Sequence, residues 1–392
     1  MSLRILHVTP YFTDAWAYGG IPRLATTLTT GLVLRGHRVT VCTTDACDRL
    51  SRLPTPSPTP LPAGLDVRVF PNWSNRLAYE LQLFTPKGLG HYLASTDAQF
   101  DVAHIHGHRH GLEVVAARWC RRRGVPYISA PNGTAPRVER RQALKRAWDM
   151  VWGERDLAGA AAFLAVSRAE RAQLLSIGVE PDRIRVVPNP VDLDEWTPPP
   201  PRGEFRRRYD LSDAPLVVFL GKITPRKRLD VVIAAMARVP GVARLVVAGN
   251  DMGGGASARR QAEALGLGDR TTFVGLLTGR ARLEALTDAD VVVYPSADEV
   301  FGLVPLEALL CGTPVVVADD SGCGEIVGQF EGGQVVAVGD PQGLSAAIAA
   351  VLSAPHAWRT KAASGAVQVR ERCGGSVVAE QVDALYREVL AR

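Results

Sequence analysis

What this sequence lacks excludes several classes of protein. No apolar run is longer than Ala160–Val166, far short of the roughly 20 residues a membrane-crossing helix needs. The start, Met1-Ser-Leu-Arg-Ile-Leu-His, runs straight into a strand-like stretch with no signal-peptide pattern, which points to a cytoplasmic chain. The six cysteines include no C-x-x-C pair and read as reduced, mostly packed thiols. With 46% hydrophobic and 22% charged residues, the composition is not that of a disordered chain.

What is present is enough for two cores. A length of 392 residues suggests two domains at about 100–200 residues each. Their charges differ: residues 1–190 carry 24 basic and 15 acidic side chains, residues 191–392 carry 21 and 25. Different partners for the two halves are one reading of that asymmetry. Short β-branched runs alternate with helix-like segments. In the first half they fall at Leu3–Val8, Arg38–Thr43, Val67–Phe70, Val102–Ile105, Tyr127–Ala130 and Phe163–Val166. In the second they fall at Leu216–Leu220, Ala243–Ala248, Thr271–Val274, Asp290–Tyr294, Pro314–Ala318 and Gln334–Val338. Continuous apolar runs of this kind belong to strands buried on both faces. The expectation is α/β, with two Rossmann-like doubly wound domains. The boundaries read as 1–190, a linker over 191–214 containing Pro198–Pro201, a second domain over 215–375, and a final helix over 376–392. The cluster Pro54–Pro62 reads as an exposed loop.

Two stretches of the second half carry chemistry. Gly221-Lys222-Ile-Thr-Pro-Arg-Lys227 follows a strand, at the carboxyl edge where open α/β sheets bind ligands. The two lysines either converge on a dianion or form a solvated basic loop. The second stretch, Glu299-Val-Phe301-Gly302-Leu303-Val-Pro305-Leu-Glu307, places one carboxylate before a helix and another about a turn inside it. Pro305 suits the first turn, and amides near Gly302 and Leu303 would favour an anion. Carboxylates suit sugar diols as hydrogen-bond acceptors, although Glu307 could equally pair on the helix surface.

These residues resemble the retaining glycosyltransferases of the GT-B fold, glycosyltransferase family 4. The E-x7-E block followed by Gly312-Thr313-Pro314 is the most specific part. The resemblance implies two Rossmann-like domains facing a cleft and no metal or other cofactor. It implies a donor substrate such as a UDP-sugar or GDP-sugar, and a glycan, lipid-linked or small-molecule acceptor. Lys222 and Lys227 would hold the donor diphosphate, Glu299 the transferred sugar and Glu307 the ribose. Phe301, Gly302 and Leu303 would contact phosphates and sugar, and Gly221, Gly249 and Asn250 would lie near the nucleotide. Lys222 stands where many members have Arg, which keeps the charge and loses the fork geometry. The physics agrees: departing diphosphate accumulates negative charge, which two lysines and a helix N-terminus stabilise without a divalent ion.

The first half is written less sharply. Gly19-Gly20 before Pro22 resembles the family's glycine-rich loop, with amides for phosphates or acceptor, or is a plain turn. His104, His106, His108 and His110 alternate, which invites a zinc reading. Gly107 should end the strand, and no further ligand has matching spacing. The resemblance makes His106 and His108 contacts for the acceptor instead. Asn132 stands where many members carry a histidine, and an amide cannot act as a base near neutral pH. Arg137, also a candidate on the acceptor side, and Arg140, Arg141, Lys145 and Arg146 crowd one predicted helix, with Leu144, Trp148 and Trp152 at helical spacing. This is either an interfacial face for anionic lipid at the inner side of the membrane or a solvated helix with its tryptophans in the core. No nucleic-acid partner is expected. The D-x-D sequences at Asp192 and Asp288 abut the linker and a buried strand, so a metal-dependent transferase is not favoured. A sugar epimerase sharing the fold and a degenerate sugar-binding scaffold are the rival readings.

Overall fold

The computed structural model describes residues 2–54, 60–95, 99–137, 142–196 and 198–392. The chain forms two compact units, one of Met1–Pro190 with Gly375–Arg392, the other of Val191–Gly374.

The first unit is a seven-stranded parallel sheet: β1 (Arg4–Val8), β2 (Arg38–Thr44), β3 (Leu65–Phe70), β4 (Val102–His106), β5 (Tyr127–Ala130), β6 (Ala162–Ala165) and β7 (Ile184–Val186). Their order is β3-β2-β1-β4-β5-β6-β7. Central strands are buried along their length, as their unbroken apolar runs require. The edge strand β3 instead alternates, with Asp66 and Arg68 exposed. β7 is the strand the sequence pattern missed, because three residues at the other edge leave too short an apolar signature. The final helix, Gly375–Leu390, packs into this unit, burying Val378, Val382, Leu385, Tyr386 and Val389. It lies against helix Ile21–Leu34, where a Cβ on Gly31 would come within 2.8 Å of the Ala379 side chain.

The second unit has six parallel strands: β8 (Leu216–Leu220), β9 (Arg244–Ala248), β10 (Thr271–Gly275), β11 (Val291–Tyr294), β12 (Val315–Asp319) and β13 (Gly333–Ala337). Their order is β10-β9-β8-β11-β12-β13. Residues 191–214, expected as a linker, are built into this unit. A short turn at Asp194–Trp196 buries Trp196, and helix Glu204–Arg208 buries Phe205. Asp288 accepts from the Arg206 amide at 2.9 Å and also from the Gly203 amide, while Asp290 pairs with Arg202, Arg206 and Arg359. That second D-x-D is therefore structural.

Candidate active site

In a doubly wound sheet the loops on either side of the strand-order reversal diverge and leave a crevice at the carboxyl edge. In the second unit the reversal lies between β8 and β11, and the two predicted stretches are the loops that follow those strands. The β8 loop makes a tight turn over Pro225–Lys227, closed by Arg228 at φ 53°. Its Lys227 Nζ donates to the Glu299 carboxylate and to the Tyr294 hydroxyl, and sits 4.4 Å from the centre of the Tyr294 ring. The Tyr294 hydroxyl donates to the same carboxylate oxygen at 3.2 Å. Arg226 fastens the loops together, donating to the carbonyls of Ala297 at 3.2 Å and Asp298 at 2.8 Å. From the other side, the Glu299 carbonyl accepts from the Cys323 amide at 2.8 Å and the Ser321 hydroxyl at 2.7 Å.

This assembly fixes its own charge states. Burial acts to raise the Glu299 pKa, but Lys227, Arg226 and Lys222 outweigh it and hold the carboxyl below its ordinary value. Burial, then the Glu299 charge, pushes Tyr294 well above the usual phenol range, so it stays a donor. The loop thus presents cationic nitrogen, a phenolic donor and an ionised carboxylate together. Gly302 ends it at φ 81° and leads into helix Leu303–Leu310; a Cβ there would meet Cys323 Sγ at 2.7 Å. Phe301 is buried beneath the loop.

Other predicted donor residues have partners within the chain. Glu307 is fully buried, its carboxylate ion-paired to Arg282 instead of being presented to solvent. Arg282 also pairs with Glu195 and lies 5.3 Å from the Trp196 ring centre. Gly221, Gly249 and Asn250 spend backbone groups in stitching strand ends together. The Gly221 amide donates to Ala248 at 2.9 Å, the Gly249 amide to Gly275 at 2.7 Å, and the Asn250 carbonyl accepts from Ile223 at 2.8 Å. A Cβ on Gly249 would overlap the Gly221 carbonyl.

In the first unit the reversal lies between β1 and β4. Gly19, at φ 97°, spends its amide on the Trp16 carbonyl at 3.1 Å, so it is not offered to a ligand; Gly20 begins helix Ile21–Leu34. β4 ends at His106 and Gly107 turns away at φ 81°, which separates the four histidines. His104 and His106 face the same way, and His7 lies opposite His104 in register. Tyr386 bridges His104 Nδ1 at 2.7 Å and His7 Nε2 at 3.1 Å, and His7 Nδ1 meets His106 Nε2 at 3.1 Å. Burial depresses all three rings, His106 to about 3. They are the one group among the described residues whose nitrogens lie close enough to share a metal ion, within 4.8 Å. As arranged they form a hydrogen-bonded stack without carboxylate or thiolate.

His108 and His106 are both buried, which removes them from the surface where an acceptor would first meet the chain. Burial works against a charged His108, but Glu113 Oε1 at 2.7 Å and Asp149 outweigh it and raise its pKa to about 9. Arg137 donates to Asp149 at 2.7 Å and keeps 42% of its side chain exposed. Asn132 sits at φ 53°, its Nδ2 on the Ala130 carbonyl at 2.8 Å and its buried Oδ1 without a partner. Asn132, His104 and His106 line one small cavity with Asn189. The adjoining Gly133 amide is held by Glu170 at 2.6 Å, a fully buried carboxylate that burial raises to about 7. Sequence reasoning gave no role to Glu170, Tyr294, Arg226, Arg282 and Tyr386; of these Tyr294 had a signal, closing a strand just before the motif, and Arg226 lay inside the basic stretch itself.

Two doubly wound parallel sheets of this kind define the GT-B fold of glycosyltransferases, and comparison with known proteins agrees. A family model described as Glycosyltransferase Family 4 matches residues 18–195, and one described as glycosyl transferases group 1 matches residues 201–366. A D-inositol 3-phosphate glycosyltransferase of Xylanimonas cellulosilytica is 33% identical over 336 residues, which cover 81% of this chain and 79% of that protein. Among solved structures, a sucrose-phosphate synthase from Thermosynechococcus elongatus superposes with a TM-score of 0.76 at 24% identity, covering 99% of both chains. HepE of Anabaena, in complex with UDP and glucose, superposes at 0.75 with 18% identity over 98% of this chain and all of that one. The chain belongs to glycosyltransferase family 4 and is a glycosyltransferase.

Proposed function

We propose that this enzyme is a retaining, metal-independent transferase that moves a sugar from a UDP- or GDP-sugar to a hydroxyl of a glycan, lipid-linked or small-molecule acceptor in glycoconjugate synthesis. The observation that carries the reading is Lys227 shared between Glu299 and Tyr294, with Lys222 on the same loop, at the strand-order reversal of the second unit. A donor diphosphate entering this site takes over the Lys227 ammonium. Glu299, relieved of its lysine, then accepts hydrogen bonds from hydroxyls of the transferred sugar. The anomeric carbon–phosphate oxygen bond breaks while the acceptor oxygen bonds to the same face, and the acceptor proton passes to the leaving phosphate. That route needs no protein base, which suits Asn132 where the family often has histidine. The lysines and the amides at Gly302–Leu303 offset the charge that builds on the leaving group, the task a divalent ion performs elsewhere. The relatives' names point to a phosphorylated polyol as one acceptor class.

The test is a transfer assay in EDTA across UDP-, GDP- and ADP-sugars, with the product's anomeric configuration read by NMR. Turnover in EDTA with the donor's configuration preserved is expected. Inversion, or activity restored only by added divalent metal, overturns the reading.

A further inference from the structure

The helical segment Gln142–Ala158 is built inside out. Its run consists of helix Gln142–Trp148, a wide π-type turn over Asp149–Gly153 and helix Glu154–Ala158. Leu144, Trp148, Val151 and Trp152 fall at i, i+4, i+7 and i+8, the spacing that normally marks a core-facing stripe. Here most of that stripe points outward: Leu144 is 54% exposed, Val151 60% and Trp152 43%, with the neighbouring Met150 at 72%, while Trp148 is half-buried. The residues turned inward are acids. Asp149 and Asp156 are both at least 96% buried. Asp149 takes a two-pronged bond from Arg109 at 2.8 and 2.9 Å, and Asp156 pairs with Arg121 at 2.8 Å. Gly153 fixes the rotation further, since a Cβ there would lie 2.6 Å from Asp149 Oδ1 and 3.3 Å from the His108 ring. The apolar face is therefore held outward by buried ion pairs, at the cost of exposing side chains the core could have used.

We propose that this face docks on an anionic lipid bilayer. The exposed indole of Trp152, its ring 4.8 Å from the half-buried ring of Trp148, is of the kind that settles at the boundary between headgroups and acyl chains. Arg146 and Arg155 are exposed on the same segment and Arg137 is half-exposed beside it, against one exposed acid, Glu154. The unit that carries the segment also holds the chain's basic excess over residues 1–190. A second copy of the chain fits this face less well, because a two-fold contact would set the arginine rim against itself. No helix among the described residues is long and apolar enough to cross a membrane, so the association is peripheral.

The experiment is co-sedimentation of the full chain, without donor, with vesicles of neutral phosphatidylcholine or of phosphatidylcholine containing phosphatidylglycerol. Because binding alone is read, its failure is separate from any failure of the catalytic reading. Anionic lipid should raise the bound fraction by about tenfold or more, and high salt should reverse that gain. The double substitution Met150→Ser/Trp152→Ser should cut binding by about tenfold, and Arg146→Glu/Arg155→Glu should abolish the preference for anionic lipid. Both pairs are at the surface, and circular dichroism checks that they fold. The proposal is overturned if the chain stays in the supernatant with every vesicle, if both variants bind like the parent, or if Met150→Ser/Trp152→Ser instead dissolves a concentration-dependent dimer.

Discussion

At the residue scale, the candidate site turns on a carboxylate kept ionised by lysine while buried. In the proposed reaction Glu299→Ala removes the hydrogen-bond acceptor for the sugar's hydroxyls, and in the resting site it leaves Lys227 without its ion-pair partner. Turnover should fall by about 10²–10³, the loss typical of a preorganised polar contact at a reacting centre, and the largely buried Lys227 left unpaired should also lower the unfolding midpoint. Steady-state assay beside a urea melt separates the two. His108 makes a second, purely thermodynamic prediction. Its folded pKa is raised to about 9 against an ordinary 6.5 by Glu113 and Asp149, which overcome burial. The native state therefore holds this proton more tightly than the unfolded chain. The resulting stability is complete below pH 6.5 and is lost as pH rises through 9. Urea unfolding should show a decline on the order of 3 kcal/mol across that window, absent in His108→Gln.

At the scale of elements, backbone geometry and buried pairs hold the loops in place. Gly249 stands at φ 149° with its missing Cβ in the space of the Gly221 carbonyl. Gly249→Ala must push the β8 and β9 loops apart, and a loss of at least about 1–3 kcal/mol is expected in urea unfolding. Arg282 neutralises Glu307 in the interior, so Arg282→Ala leaves an uncompensated buried charge. The expected cost is about 3–5 kcal/mol, read by the same method, with Arg282→Ala/Glu307→Gln recovering part of it. The sequence announced the strands well because parallel strands buried on both faces are unbroken apolar runs; β7, three residues at an edge, carried too little pattern. The loops bearing Lys222, Lys227 and Glu299 were legible as a candidate site because each follows an unbroken apolar strand, and the structure sets those two strands side by side at the reversal. The surroundings were not: Tyr386 meets His104 across 282 residues of chain, and nothing local to either residue records the partnership. The outward face of Gln142–Ala158 was one of two readings the sequence left open, for the opposite reason. Its apolar spacing matches that of a core helix, and only the inward acids, with Arg109 and Arg121 waiting for them, reveal its rotation.

At the scale of the whole molecule, the last residues of the chain complete the first unit. Val378, Val382, Leu385, Tyr386 and Val389 are buried there, and at about 1.5–3 kcal/mol for each large side chain their burial rivals the 5–15 kcal/mol stability of a whole domain. Removing residues 376–392 should unfold the first unit while the second keeps its own protected core, as hydrogen exchange would show. The uneven charge of the two halves also acquires a meaning. The mildly acidic half carries the candidate anion site, where a few placed cations outweigh a net charge. The basic half carries the candidate docking face. The account stands most directly on calorimetric titration of UDP-, GDP- and ADP-sugars into the parent chain, Lys227→Ala and Glu299→Ala. It predicts that at least one nucleoside-diphosphate sugar binds the parent and that each substitution weakens it by roughly 10–100-fold through loss of a charge-assisted contact. Undiminished affinity in both folded variants, or no binding of any donor to the folded parent, would contradict it.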